Sequence, residues 1–188
     1  MGRADTKQRM IAGAVALLRE QGVSGVTIDA VLARSGAPRG SVYHHFPGGR
    51  DELVRTAGQA AAEYITDTIR DLAAASGPTA VLTRFAEFWL TALETTDYRA
   101  GCPVVALTLG ERPELDGVAE LVRTTFAEWR TQLVEVLVSH GTPAPAAAAR
   151  ATVAVAAFEG ALILCRAERS GEPLRQVTDY LIELFGTP

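Results

Sequence analysis

The stretch VTIDAVLARSGAPRGSVYHHFP, residues 26–47, predicts two short helices joined by a tight turn. Thr27 is a residue type that caps helix N-termini, and Gly36 can adopt the left-handed conformation that ends the first helix. Pro38 is tolerated in the first turn of the second helix, and Pro47 stops that helix after a short run. Two short helices with a glycine-containing turn between them are typical of a helix-turn-helix, which we place between about Thr27 and Phe46.

The second of these helices has one apolar and one polar side. Val42 and Phe46 are four residues apart and are expected to pack inward. The residues left to face outward carry a charge, a hydroxyl, a phenol and an imidazole, with a glycine that permits close approach: Arg39, Gly40, Ser41, Tyr43 and His44. Such groups bond to phosphates and base edges. An ordinary corner between two helices with a polar outer face would show the same spacing.

The same residues carry a family resemblance. The stretch from Val26 to Pro47 resembles the signature of the TetR family of repressors, and the preceding helix with its break at Gly22 extends the similarity to about residues 5–55. The resemblance implies that Thr27 touches a phosphate, that Arg39 to His44 meet the DNA groove, and that Arg50 contacts a phosphate at the start of the fourth helix. For His45 two roles stay open, facing DNA or holding the junction to that helix.

The rest of the chain also has helical periodicity, and no stretch alternates with period two. Breaks at Ser76-Gly77-Pro78, Tyr98 to Pro103, Gly141-Thr142-Pro143 and Ser170-Gly171 separate the segments. We therefore predict an all-α chain of about nine helices. We divide it into a three-helix helix-turn-helix domain at 1–50 and a helical ligand-binding and dimerisation domain at 51–188, linked by the fourth helix.

Charge is distributed unevenly along the chain. Residues 1–55 carry eight Lys/Arg against five acids, a net +3, whereas the remainder carries ten against 17, a net −7. A basic head on an acidic body suits a protein that meets a polyanion with one end, although so modest an excess can arise by chance. The charged N-terminus is unlike a secretory signal, and no unbroken apolar run approaches the ~20 residues of a membrane span. We expect a cytoplasmic protein with no membrane partner.

The resemblance implies that the acidic body senses a ligand and forms dimers. The alanine-rich helix at 144–169 and the apolar stripe of the last helix, 173–186, could together form half of a four-helix bundle across a two-fold axis. Alternatively, both helices pack inside one subunit. We expect a homodimer, because short recognition helices usually need a symmetric pair to reach two half-sites.

Aromatic residues are concentrated in the body, which suits a cavity for planar hydrophobic ligands, although aromatics at helical spacing are more often core. The stretch Arg99-Ala100-Gly101-Cys102-Pro103 is similar to the LmrA/YxaF-like branch of the family, whose members respond to flavonoids and other aromatic compounds. This similarity implies a small aromatic effector. The residues expected to bind it are Phe85, Phe88, Trp89, Cys102, Leu107, Phe126, Trp129 and Phe158. Ligand binding there would shift the fourth helix and change the separation of the two recognition helices.

Other classes of function are less well supported. Two of the three histidines lie in the recognition helix, and GxSxG, HExxH and glycine-rich phosphate loops are missing from the sequence. We expect neither an enzyme, a bound cofactor nor a metal site. A redox regulator is a further alternative, because Cys102 lies near Arg99 and a reactive thiol needs an electropositive setting. Cys102 and Cys165 are far apart in sequence and are interpreted as free thiols.

Overall fold

A computed structural model describes residues 3–75, 77–110 and 117–186. Over these ranges the chain forms nine α-helices and no strand, which confirms the all-α prediction. In chain order, the helices are α1 (Arg3–Gly25), α2 (Ile28–Ser35), α3 (Val42–His45), α4 (Gly49–Ala75), α5 (Pro78–Thr95), α6 (Pro103–Thr108), α7 (Val118–Ser139), α8 (Ala144–Glu168) and α9 (Glu172–Gly186).

The first of two compact units comprises Met1–Tyr64 and Cys102–Arg123. Its core is built from α1, against which α2 and α6 pack. Met10 and Leu18 of α1, Val31 of α2 and Leu53 of α4 are fully buried in it. The predicted break in the first helix lies at Gly22, whose φ of 73° and ψ of −171° are non-helical.

The packing divides the chain at a different place from the sequence-based boundary at residue 50. That boundary coincides with the start of α4, whereas the units separate inside α4, between Tyr64 and Ile65. Residues 102–123 also belong to the first unit because α6 packs on α1, and the Leu107 side chain lies 2.7 Å from where a Cβ on Gly58 would stand. An apolar helix such as α6 does not reveal from its sequence which core it joins.

The second unit comprises Ile65–Gly101 and Thr124–Pro188. Within it, α9 packs against both α5 and α8. Trp89 of α5, Leu162 of α8 and Leu181 of α9 are almost completely buried. The indole Nε1 of Trp129 donates a hydrogen bond of 2.8 Å to Thr66 Oγ1, which satisfies the polar atom of a buried tryptophan.

Helix α8 is unusually apolar for a helix that lies mostly on the surface of its unit. By length and composition alone it could cross a membrane, yet only 33% of its most apolar 18-residue stretch is buried. The sequence contains no unbroken apolar run of that length, as predicted, because Arg150 and Glu159 interrupt the apolar residues of α8. Length and composition alone do not distinguish such a helix from a core helix of a soluble protein.

Candidate nucleic-acid interface and ligand cavity

Helix α2 is fixed at both ends by the residues that the sequence singled out. Thr27 has extended backbone angles, and its Oγ1 accepts a hydrogen bond of 3.2 Å from the Ala30 amide, as an N-cap does. Gly36 has a φ of 63° and donates its amide hydrogen to the Leu32 carbonyl at 2.9 Å. These two caps give α2 a fixed start and a fixed stop before the turn.

The recognition segment begins as a 3-10 turn at Arg39–Ser41 and continues as α3. Ser41 Oγ donates a hydrogen bond to the Pro38 carbonyl at 2.6 Å, which steadies the turn. Val42 and Phe46 are fully buried, as predicted, and the Phe46 amide closes the helix on the Val42 carbonyl at 2.7 Å. The segment is thus anchored from beneath by two apolar side chains.

The predicted DNA-facing residues gather on the outer side of this anchored segment. Thr27, Arg39, Gly40, Tyr43 and His44 are exposed, and Ser41 is half-buried. Tyr43 keeps 64% of its surface exposed, which is unusual for so large a side chain. Together these residues present hydrogen-bonding groups of several kinds on one short, rigid surface, which is what contact with phosphates and base edges requires.

Gly40 has open space where the side chain of another residue would stand. A Cβ added there would meet no atom within 4 Å, and the backbone does not need the left-handed conformation that favours glycine. Packing within the described part of the protein therefore gives no reason for a glycine at this position. A surface that approaches the backbone closely from outside would give one.

Arg39 has a partner that the sequence interpretation did not identify. Its Nη2 lies 2.8 Å from Asp29 Oδ1, and both side chains are exposed. An ion pair so accessible to water contributes no more than about 1 kcal/mol and weakens with salt. Arg39 is therefore held over α2 loosely enough to exchange this carboxylate for a phosphate.

Arg50 makes contacts other than the phosphate contact that the resemblance implies. Its Nε donates to the Val26 carbonyl at 2.8 Å and its Nη2 to the Val23 carbonyl at 2.5 Å. Its Nη1 lies 3.5 Å from the Asp51 carboxylate. The half-buried guanidinium thus ties the start of α4 to the turn that leads into Thr27. No sequence pattern pointed to this, because the partners are more than twenty residues apart.

His45 is half-buried, and its ring lies edge-on to the ring of His44 with 4.9 Å between the centroids. This position is compatible with either role left open from the sequence.

A separate cavity lies within the second unit. Its empty volume of about 430 Å³ includes space that is open to solvent, and its wall is almost entirely apolar. The lining residues are Ile69, Val81, Leu82, Phe85, Trp129, Leu133, Ala154, Val155, Phe158 and Glu159. A concave, aromatic-lined space with few polar groups is the usual form of a small-molecule site.

Three of the eight predicted ligand-binding residues line this cavity, namely Phe85, Trp129 and Phe158. The rings of Phe85 and Phe158 are 5.5 Å apart. Three others pack against lining residues, since Phe88 and Trp89 contact the Phe85 ring, and Phe126 is edge-on to Trp129. Cys102 and Leu107 belong to the first unit and do not line the cavity.

Glu159 lines the cavity and was missed by the sequence interpretation. The signal was a single carboxylate in an otherwise apolar stretch of α8, next to the predicted Phe158. A charge surrounded by apolar residues on a helix is worth testing as a site residue, because burial makes it costly.

Neither cysteine has the exposure of a reactive thiol. Cys102 and Cys165 form no disulfide and are buried, and burial raises the pKa of the Cys165 thiol. Reactive thiols are exposed and have a lowered pKa. Among the described residues, no three His, Cys, Asp or Glu side chains form a group that could hold a metal ion.

Comparison with known proteins places these features in a family. Residues 10–57 match the bacterial regulatory proteins of the tetR family, and residues 78–180 match the C-terminal domain of LmrA/YxaF-like transcriptional regulators. An uncharacterised HTH-type transcriptional regulator of Mycobacterium tuberculosis is 33% identical over 95% of this chain and 93% of its own length. The HTH-type transcriptional regulator LmrA of Bacillus subtilis is 27% identical over 98% of this chain and 99% of its own.

The fold is shared as well. The crystal structure of a TetR regulatory protein from Rhodobacter sphaeroides superimposes with a TM-score of 0.83 at 21% identity, covering 94% of this chain and 96% of the other. Proteins of this family are DNA-binding regulators and not enzymes, and they act as dimers with small-molecule ligands. The chain therefore belongs to the TetR family of helix-turn-helix transcriptional regulators, with a C-terminal domain of the LmrA/YxaF-like type.

Proposed function

We propose that this regulator is a cytoplasmic repressor that binds a palindromic operator as a homodimer and is released by a small, aromatic, hydrophobic effector. The observation that carries the proposal is the recognition segment, in which Val42 and Phe46 are buried while Arg39 and Tyr43 face solvent. Repression, dimer formation and ligand binding are typical of the family.

DNA binding is assigned to Thr27, Arg39, Gly40, Ser41, Tyr43 and His44. Arg39 supplies a planar fork that suits phosphate or a guanine edge, and Ser41 and Tyr43 supply hydroxyl groups. Arg50 would support these contacts by holding the turn before Thr27, or would bind a phosphate itself after releasing its carbonyl partners.

The homodimer is assigned to the helices at 144–169 and 173–186. Large apolar side chains remain exposed there, including Val153, Ile163 and Leu164 of α8 and Tyr180 of α9. Burial of these apolar side chains would stabilise the protein. A second copy of the chain would cover them with the same residues of its own surface. A symmetric dimer in turn supports a palindromic operator, because each half-site faces an identical recognition segment.

The effector is assigned to the cavity, which has the apolar, aromatic wall of a ligand site. Helix α4 is the element that can couple the two sites, since it contributes Leu53 to the core of the first unit and Ile69 to the cavity wall in the second. An effector releases DNA only if it binds the DNA-incompetent state more tightly than the competent one.

Selection of bound sequences from random DNA tests the proposal. We expect enrichment of a palindrome whose half-sites are separated by about one helical turn or a multiple of it. A reporter gene with this palindrome in its promoter should be repressed, and aromatic compounds that raise the melting temperature of the protein should restore expression. Failure to enrich any sequence would refute operator binding, and a non-palindromic product would refute the symmetric dimer.

A further inference from the structure

Arg39 and Asp29 form an ion pair on the surface assigned to DNA, and only one of the two charges is attracted to a polyanion. Arg39 Nη2 lies 2.8 Å from Asp29 Oδ1, with 83% of the arginine side chain and 76% of the aspartate side chain exposed. The carboxylate lies two residues after Thr27, which is among the residues assigned to DNA binding. Because a carboxylate is repelled by phosphates, Asp29 opposes the attraction that Arg39 provides.

The backbone fixes the position from which each of these side chains extends. Asp29 lies in the first turn of α2, which Thr27 caps. Arg39 follows Pro38, whose carbonyl accepts hydrogen bonds from the amide and the hydroxyl of Ser41 at 2.9 Å and 2.6 Å. The ion pair therefore joins two anchored turns. It determines the direction of a long side chain that would otherwise rotate freely in water.

The ion pair uses only part of the Arg39 guanidinium. Arginine carries five N–H groups in a rigid plane, and Asp29 is the one partner of Arg39 within the described part of the chain. Guanine presents two acceptors, O6 and N7, side by side in the major groove, and a guanidinium can donate to both at once. Arg39 can therefore bind a guanine edge without releasing Asp29.

A phosphate differs from a guanine edge because it carries its own negative charge. Since the ion pair is exposed and weak, Arg39 can exchange the carboxylate for a phosphate, but the exchange leaves an unpaired carboxylate beside that phosphate. If Arg39 kept both partners, two anions would share one cation at close range. Either arrangement costs binding free energy that a neutral guanine edge does not require. The ion pair thus favours contact with a base over contact with the DNA backbone.

We infer that Asp29 is a specificity-determining residue, which positions Arg39 on a guanine base in the major groove and opposes its use as a phosphate ligand. This inference rests on the proposed function, since it concerns how the proposed operator-binding surface discriminates between sequences. Asp29 itself adds little to the affinity for the operator. It lowers the affinity for other DNA, on which Arg39 finds no guanine at the right position and meets phosphates alone.

Asp29→Asn tests this inference, because the substitution keeps the shape of the side chain and removes its charge. The affinities for the selected operator and for a duplex of shuffled sequence are measured by fluorescence anisotropy at several salt concentrations. We expect the variant to bind the shuffled duplex at least about threefold more tightly, with a salt slope steeper by about one, because Arg39 gains a phosphate. The ratio of operator affinity to shuffled affinity should fall by at least about threefold.

Asp67→Asn is the matched control. Asp67 and Arg70 form an exposed ion pair on α4, and the substitution changes the net charge of the protein by the same amount. It should leave the affinity ratio and the salt slope as they are in the unchanged protein. Equal ratios for Asp29→Asn and Asp67→Asn would overturn the inference while leaving operator binding intact. If the unchanged protein bound the operator no more tightly than the shuffled duplex, the proposed operator binding itself would be refuted, and this inference with it.

A panel of operator variants identifies the base and separates positioning from a structural role. Each G·C pair of the half-site is replaced in turn by A·T, and binding is measured for the unchanged protein, Asp29→Asn and Arg39→Ala. We expect one replacement that weakens binding of the unchanged protein at least about tenfold and that of both variants less than about threefold. A loss of stability would instead weaken binding to all operators alike. Full discrimination by Arg39→Ala at every G·C pair would overturn the inference, whether or not the Asp29 variant folds.

Discussion

Arg50 donates hydrogen bonds to the carbonyl oxygens of Val26, in the turn before Thr27, and of Val23, near the end of α1. An arginine at this position agrees with a phosphate contact, because lysine and arginine both supply a positive charge that attracts phosphate. Only the three-dimensional structure shows that two of its nitrogens are occupied by the protein's own backbone. The contribution of Arg50 to DNA binding must therefore be measured separately from its contribution to the stability of the fold.

We predict that Arg50→Gln lowers the free energy of unfolding by about 1–3 kcal/mol, because it removes charged donors from half-buried carbonyl groups. Arg50→Lys should lose less, since an ammonium can still reach one carbonyl oxygen. Urea denaturation gives both values. If the Gln variant were as stable as the unchanged protein and reduced the salt slope of DNA binding by about one, Arg50 would be a phosphate ligand instead.

A substitution at Gly40 is expected to change DNA binding and to leave the stability of the protein unchanged. A methyl group at this position meets no protein atom, so Gly40→Ala should leave the free energy of unfolding unchanged or raise it by up to about 1 kcal/mol. The same methyl group would stand between the backbone and DNA. We expect operator affinity, measured by fluorescence anisotropy, to fall at least about tenfold. Unchanged affinity would mean that this part of the turn does not approach DNA.

The short elements around the turn were predictable because local chemistry determines them. Thr27 caps α2, Gly36 ends it, and Val42 and Phe46 are buried beneath α3, all as the spacing indicated. The long helices of the body were predictable as helices only. Apolar residues at helical spacing have the same pattern whether they fill a core, as Trp89 does, or line a cavity, as Phe158 does.

The capping of α2 gives a prediction for that helix. Thr27→Ala removes the oxygen that accepts from the Ala30 amide and should cost about 1 kcal/mol of stability, whereas Thr27→Ser retains the oxygen and should cost less. Thermal or urea unfolding of both variants measures this. Equal stability of the two would show that the cap contributes nothing and that α2 is positioned by Val31 and Leu32 alone.

For the whole molecule, the apolar surface of α8 determines the state of association. Ile163 and Leu164 are 53% and 49% exposed. We predict that Ile163→Asp converts the dimer to a monomer in analytical ultracentrifugation and abolishes cooperative binding to the full palindrome, because a buried unpaired charge opposes association. Leu109→Asp is the control, since Leu109 is 72% exposed in the first unit. A dimer that persists with Ile163→Asp would place the interface elsewhere.

The division of the chain into two compact units could not be predicted from the sequence alone. The sequence placed helix-forming residues correctly, but the assignment of residues 102–123 to the first unit and the division within α4 depend on contacts between distant segments. The position of Glu159 on the wall of a cavity likewise depends on residues of α4, α5 and α7, which are distant from it in the sequence.

The most direct test of the central claim is operator affinity measured by fluorescence anisotropy over a series of salt concentrations. Arg39→Ala and Tyr43→Ala should each weaken binding by about 1–3 kcal/mol, with helicity and dimer formation unchanged. Arg84→Ala and Tyr64→Ala remove exposed side chains from α5 and α4, and both variants should bind as the unchanged protein does. Affinity should fall steeply with salt, and with a shallower slope for Arg39→Ala if that residue binds phosphate. Full affinity in both recognition-segment variants would contradict the assignment of this segment as the DNA-binding surface.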